Sequence, residues 1–151
     1  MRLSVVIVSY NVYPFLDNCL RSVRQAMHGI DGEIIVVDNA SVDRTPQLVA
    51  AHFPDVRLIA NTDNPGFAKA NNQAIAVSRG EYVLLLNPDT VVSEDTFARC
   101  LAFMDAHPQT GALGVKMLDG SGRFLRESKR GLPTLHASFM KMTGLYRLAP
   151  R

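Results

Sequence analysis

Short apolar runs alternate with amphipathic helical patterns along most of this chain, and that alternation restricts its fold more than any other feature. Strand-like runs begin near Leu3, Glu33, Val56, Glu81 and Ala112, with helical periodicity between them. Each interval is long enough for one crossover helix. Such spacing predicts right-handed connections and a mostly parallel sheet. The expected fold class is therefore α/β, a Rossmann-like sheet with flanking helices.

The helices can be placed by their end signals. The first is expected over 13–27, with Pro14 in its opening turn and Phe15, Leu16, Leu20 and Val23 on one face. The second is short: Thr45 suits its cap, Pro46 its first turn, and Leu48, Val49 and Phe53 its apolar side. The third covers 67–79, with Gly80 placed to end it. The fourth starts at Ser93, with Glu94 and Asp95 in the first turn, and stops before Pro108. After Leu118 the pattern changes. Asp119-Gly120-Ser121-Gly122 is a turn signal, residues 123–128 suit a strand returning antiparallel, and a weak helix is expected over 135–145. The reading is an α/β core over 1–118 followed by a distinct region over 119–151.

The strand ends carry the chemistry. Residues 82–86 do not alternate, which suits a strand covered on both faces. Pro88 cannot donate to a ladder, so that strand stops and delivers Asp89 to the carboxyl edge of the sheet, where open α/β sheets bind ligands. Ile34-Ile35-Val36-Val37 ends likewise in Asp38-Asn39. Two carboxylates at neighbouring strand ends suit a polar ligand and a hard cation. The first strand ends in Ser9-Tyr10-Asn11, small and polar groups that can meet a ligand or simply enter a helix. Asp43 fits a turn or cap role better than Asp38 does. In the run from Asn61 to Asn72, Gly66 lets backbone approach a ligand, and the helix that follows favours an anion at its start. Asn71 and Asn72 suit a helix interior poorly, which points to a side-chain task for at least one of them.

Charge is unevenly spread. Residues 1–115 hold eight Lys/Arg against twelve Asp/Glu, a net of −4, and residues 116–151 hold eight against two, a net of +6. A basic tail of this kind suits phosphates, an anionic membrane surface or nucleic acid, and equally a solvated face. Cys19 and Cys100 are far apart and show no metal or redox spacing, so buried free thiols in a reducing compartment are expected. The four histidines have no ligand spacing either. No apolar run is long enough to span a bilayer, and no signal-peptide pattern precedes the first strand.

Taken in order, Val5-Val6-Ile7-Val8-Ser9-Tyr10-Asn11, Val36-Val37-Asp38-Asn39-Ala40-Ser41-Val42-Asp43, Asn64-Pro65-Gly66-Phe67 with Asn72, and Leu86-Asn87-Pro88-Asp89 resemble the family 2 inverting glycosyltransferases of the GT-A fold, in particular their bacterial rhamnosyltransferase-like branch. The resemblance covers nearly the whole chain. It implies that Asp38 binds the nucleotide base, with Asn39 beside it, and that Ser9, Tyr10 and Asn11 line the nucleoside pocket. It also implies that Gly66 to Asn72 close the base and phosphate side. Asp89 then matches the last acid of the family's Asp-x-Asp motif, which binds Mg²⁺ or Mn²⁺ bridging the diphosphate.

Two departures stand out. The motif reads Asn87-Pro88-Asp89, so Asn87 can hydrogen-bond a ribose hydroxyl but brings no charge to the metal. Inverting transfer also needs a general base, and after Asp119 the chain has only Glu127 as an acid, outside any matching context. The chain is thus expected to be the donor-binding part of a C-terminally truncated transferase, inactive alone and binding a UDP- or dTDP-linked sugar. The expected acceptor is a glycan or a lipid-linked saccharide of cell-surface polysaccharide synthesis. Nucleic acid is not an expected partner. Peripheral membrane association and homodimerisation stay open, and the implied location is the cytoplasm or the inner face of its membrane. A non-catalytic nucleotide-binding module that kept the donor pocket is the alternative. A dinucleotide oxidoreductase is disfavoured, because Ser9-Tyr10-Asn11-Val12-Tyr13 stands where a Gly-x-Gly-x-x-Gly turn would be. A phosphoacceptor receiver domain would have no use for the run from Asn64 to Asn72.

Overall fold

The structure, a computed structural model, describes residues 1–125, 139–140 and 142–143. Eight elements follow in strict alternation: β1 (Leu3–Ser9), α1 (Tyr13–Ala26), β2 (Gly32–Asp38), α2 (Thr45–His52), β3 (Arg57–Ala60), α3 (Phe67–Val77), β4 (Tyr82–Leu86) and α4 (Thr96–Ala106). The four strands form one parallel sheet in the order β3-β2-β1-β4. The chain divides into two compact units, Met1–Gln109 and Thr110–Arg151, the division falling earlier than the boundary after Leu118 read from the sequence.

In the first unit, strand periodicity sorts side chains onto two faces. Leu3, Val5 and Ile7 of β1 and Ile34 and Val36 of β2 meet α1, α2 and α4 through Leu16, Cys19, Leu20, Val23, Val49, Phe53 and Phe97. Val6, Val8, Ile35 and Val37 meet Ala70 and Ala74 of α3 on the other face. The small alanines let α3 lie close to the sheet. Each such fully buried branched or aromatic side chain contributes about 1.5–3 kcal/mol, so the two central strands carry most of the first unit's core.

Several expectations need correction. β4 is not covered on both faces. It is the edge strand, and Val83 and Leu85 are 41% and 48% exposed, because α3 spans β1 and β2 and stops short of β4. Phe15 is not on the buried face of α1 but 59% exposed. Thr45 is the first residue of α2 rather than its cap, and Arg44 precedes it at φ +65°. α4 begins at Thr96, after Ser93, Glu94 and Asp95. α3 ends at Val77, before Arg79. Gly80 therefore does not cap it. A Cβ there would sit 2.4 Å from Ser4 N, so the glycine is required by the close approach of this segment to β1.

In the second unit, no strand forms from Ala112 among the described residues. Leu118 and Phe124 make a single antiparallel bridge, and Asp119 ties the turn between them, its Oδ1 accepting from Ser121 N and Arg123 N at 2.9 Å each. Residues 126–128 of the expected return strand, Glu127 included, lie outside the described residues, as does most of the weak helix expected over 135–145. No helix among the described residues is long and apolar enough to cross a membrane.

Candidate functional site

The connections decide where a crevice opens. From β1 the chain steps to β2 and then β3 on one side. It next crosses back beneath the opposite face through α3 and places β4 on the other side of β1. The strand order therefore reverses between β1 and β4, while α1 and α4, which follow them, pack on the same face of the sheet. The topological switch lies between Ser9-Tyr10-Asn11 and Asn87-Pro88-Asp89, the place where open α/β sheets take ligands.

The register fixes the heights. Ser9 is level with Asp38, and Ile7 with Leu86. Asp38 and Asp89 both stand at the carboxyl edge, as expected, but not on neighbouring strands, because β1 separates β2 from β4. No cluster of three His, Cys, Asp or Glu side chains suited to a metal exists among the described residues.

Asp38 is wholly buried. Its Oδ2 accepts from Ser41 N at 2.8 Å and its Oδ1 from Ser41 Oγ at 2.6 Å, which closes the loop after β2. Each carboxylate oxygen keeps a further lone pair. Asn11 works on the same loop from the β1 side: its Oδ1 accepts from Val42 N at 2.8 Å, and its own N–H donates to Ser41 Oγ at 2.8 Å. Asn11, Ala40 and Arg44 are the non-glycine residues of positive φ, at +55°, +62° and +65°. Asparagine tolerates that region, whereas Ala40 and Arg44 each hold strain of about 1–2 kcal/mol. Among the described residues, the strained non-glycine backbone is thus confined to the loops after β1 and β2.

Asp43 bears out its reading as a turn and cap residue. Its carboxylate accepts from Tyr13 N at 3.1 Å and from Thr45 N at 3.2 Å, and also from the Thr45 hydroxyl, so it fastens the starts of α1 and α2 together. Burial alone would push its carboxyl up, but these hydrogen bonds outweigh burial and hold it below the usual carboxylate range.

Ser9 is fully buried, and its Oγ is the one buried side-chain polar atom without a partner among the described residues. An unmet buried hydroxyl costs about 1–3 kcal/mol. Tyr10 is exposed beside it. Asn39 is buried, with its N–H on Ser9 O at 2.9 Å and its Oδ1 accepting from Asn61. Gly66 has φ +88°, as a glycine entry to α3 allows, and its N–H is held by Asn64 Oδ1 at 3.0 Å. Of the two helix misfits, Asn71 is buried and donates to Phe67 O at 2.9 Å, while Asn72 is exposed.

Asn87 and Asp89 are both exposed, and Asp89 makes no hydrogen bond or ion pair among the described residues. Beneath them Cys19 donates weakly to Asn87 O at 3.7 Å, and burial pushes its thiol up to about 12, so it is an inert core group as expected. Cys100 is free and only partly buried. The structure adds four roles that the sequence reading did not give: Ser41 and Thr45 as loop fasteners, and Asn61 with Gln73 as an amide pair joining β3 to α3.

Comparison with known proteins fits this arrangement. The family description "Glycosyl transferase family 2" matches residues 4–148. The N-acetylglucosaminyl-diphospho-decaprenol L-rhamnosyltransferase of Mycobacterium tuberculosis is 31% identical over 144 residues, covering 88% of this chain and 46% of that protein. Among solved structures, residues 1–349 of Staphylococcus aureus TarS in complex with UDP align at a TM-score of 0.70 and 27% identity, covering 89% of this chain and 38% of that one. The mannosyltransferase PcManGT of Pyrobaculum calidifontis, in complex with GDP-Man and Mn²⁺, aligns at 0.69 and 32%, covering 77% and 36%. The chain spans less than half the length of these relatives. The sheet is that of the GT-A structures, and the matched family runs through all four strands and the loops at their carboxyl ends. This chain belongs to glycosyl transferase family 2.

Proposed function

We propose that this chain binds a nucleoside-diphosphate sugar at the β1/β4 crevice, as the donor part of an inverting glycosyltransferase. The observation that carries the reading is Asp89: an exposed, unpaired carboxylate held at the end of β4, across the switch point from an unmet buried hydroxyl at the end of β1. Relatives of the same fold were solved with UDP and with GDP-Man and Mn²⁺.

Under this reading Asp38 and Asn39 serve the base. Ser9, Tyr10 and Asn11 shape the nucleoside wall, and Gly66 and Asn72 lie on the phosphate side at the start of α3. Asn87 takes a ribose hydroxyl, and Asp89 is the metal ligand. Asp89 would supply the protein's carboxylate to the cation, with phosphate oxygens and water as the other ligands, and Mg²⁺ or Mn²⁺ held there would offset the charge that the leaving diphosphate gains. The protein's part is to hold that carboxylate in place and keep the β1 and β2 loops rigid around the nucleoside.

The proposed acceptor is a glycan or a lipid-linked saccharide of cell-surface polysaccharide synthesis, in line with the diphospho-decaprenol named for the mycobacterial relative. UDP or dTDP is the proposed nucleotide. No general base is assigned among the described residues, and slow donor hydrolysis without sugar transfer is the expected activity of this chain.

The test is calorimetric titration with UDP, dTDP and GDP, with Mn²⁺ and in EDTA. Binding of UDP or dTDP should be strongest with metal, and Asp89→Ala should remove the metal dependence while leaving the melting temperature within a degree or two. Equal affinity in EDTA for the wild type would remove Asp89 from its role. Acceptor-dependent release of nucleoside diphosphate would place a base within this chain.

A further inference from the structure

Three side-chain amides form a relay from the end of β2 to α3. Asn61 Nδ2 donates to Asn39 Oδ1 at 3.0 Å and to Gln73 Oε1 at 3.0 Å, and Asn61 Oδ1 accepts from Gln73 Nε2 at 3.1 Å. Backbone bonds hold the relay in register, with Asn39 N on Ser9 O and Asn61 N on Asp38 O, both at 2.9 Å. An amide has one acceptor oxygen and one donor NH₂. None of the three can turn over alone without setting two donors or two acceptors face to face.

The relay leaves Asn39 with only donors to offer. Its oxygen is taken by Asn61, and no acceptor among the described residues bonds its Nδ2. Asn39 is just 3% exposed, yet among the described residues Ser9 Oγ is the one fully buried polar side-chain atom without a partner, so Nδ2 keeps part of the little surface that Asn39 has. Asn39 stands at the carboxyl end of the sheet, one residue beyond Asp38, and is tied to α3 through Asn61 and Gln73.

We propose that Asn39 is a specificity-determining residue, oriented by Asn61 and Gln73 to present an N–H donor to the nucleobase, so that the site selects a base bearing a carbonyl at that position over one bearing an amino group. The inference rests on the nucleotide-binding reading given above. Uracil and thymine carry a carbonyl at the 4-position where cytosine carries an amino group. A buried donor facing another donor leaves both unpaired, and a site built to hydrogen-bond one group rejects the other strongly for that reason. Asn61 and Gln73 are positioning residues in this arrangement.

UDP and CDP differ only at positions 3 and 4 of the base and so make the deciding pair. Both are titrated calorimetrically at fixed Mn²⁺ into the wild type, Asn61→Asp and Asn39→Asp, with a melting curve for each protein. Wild type should favour UDP by about tenfold or more. Asn61→Asp offers only acceptors, so the Asn39 amide must turn to donate to it and will present oxygen outward. Its UDP-to-CDP ratio should fall by about tenfold. Asn39→Asp presents oxygen without any change at Asn61 and should shift the ratio the same way. A purely structural role for the relay would lower the melting temperature and both affinities together and leave the ratio unmoved, which overturns the proposal. Equal affinity of wild type for UDP and CDP overturns it too, while leaving nucleotide binding intact. Failure of wild type to bind either nucleotide overturns the nucleotide-binding reading and this inference with it.

Discussion

The two ends of the same parallel sheet are built on opposite terms. At the amino end, polar groups are paired off. Ser4 Oγ donates to Glu33 Oε1 at 2.9 Å and accepts from Gly80 N at 2.8 Å, and Arg79 N donates to the same Glu33 oxygen at 2.7 Å. Arg2 grips Asp105 through two bonds of 2.6 and 2.8 Å and also pairs with Glu81, and the terminal amine meets Asp31. At the carboxyl end the described non-glycine residues of positive φ gather in the loops after β1 and β2, Ser9 Oγ has no partner, and Asp89 stands unpaired. One end settles the fold, and the other leaves unmet groups at the proposed nucleotide site. Proteins commonly give up stability where a site must remain open.

The largest effect should come from the closed end. Gly80→Ala would force a methyl to within 2.4 Å of Ser4 N and 2.7 Å of Leu3 C, both backbone atoms that cannot swing aside. A loss of about 3 kcal/mol is expected, read as the shift of a urea or thermal unfolding midpoint. A shift within error would mean that this contact is looser than it stands here.

A paired substitution in β1 sharpens the contrast. Ser4→Ala leaves the Gly80 N–H and the Glu33 carboxylate short of a partner and should cost about 1–2 kcal/mol. Ser9→Ala deletes a hydroxyl that has none, so stability should hold or rise by up to about 1 kcal/mol. Equal losses at both positions would erase the distinction between the two ends.

The smallest effect is a pH dependence. Burial alone would raise the Glu33 carboxyl, but the Arg79 N–H, the Ser4 hydroxyl and the Arg79 guanidinium outweigh it and hold the carboxyl below its usual range. A group depressed in the folded state stabilises above its unfolded pKa, near 4.3 for glutamate. That contribution is lost as pH falls from there through the lower folded value. Chemical denaturation at pH 6, 4 and 3 should therefore show a steeper acid loss for wild type than for Glu33→Gln. Matching slopes would count against the Glu33 cluster as the source.

Much of the fold was legible because it is local. Continuous apolar runs mark β1 and β2, which are buried on both faces, and Pro14, Pro46 and Gly66 stand at the starts of three helices. The errors came where neighbours decide. Tyr82–Leu86 has the composition of a central strand, yet it lies at the sheet edge, and no local pattern reports the strand order. Phe15 is apolar and one residue out of phase with Leu16, Cys19, Leu20 and Val23. Gly80 looked like a helix stop because a forbidden Cβ contact with β1 cannot be read along the chain. The site followed the same rule. Asp38, Asn39 and Asp89 were legible as polar residues closing apolar strands. Gln73 was not, since an exposed glutamine on a helix shows no signal until its partner Asn61 is beside it.

The strand order also bears on how the chain comes together. Leu3 pairs with Gly32, 29 residues on, and with Tyr82, 79 residues on. Loop-closure entropy makes the second pairing costlier by about 0.9 kcal/mol, and among the described strands β4 has one neighbour to reward it. The β1-α1-β2-α2-β3 segment can collapse first as a run of local crossovers, with β4 arriving afterwards. The β1/β4 crevice therefore comes into being only as β4 docks, and a chain halted one step earlier would have its first three helices and most of its core but lack the proposed nucleotide site.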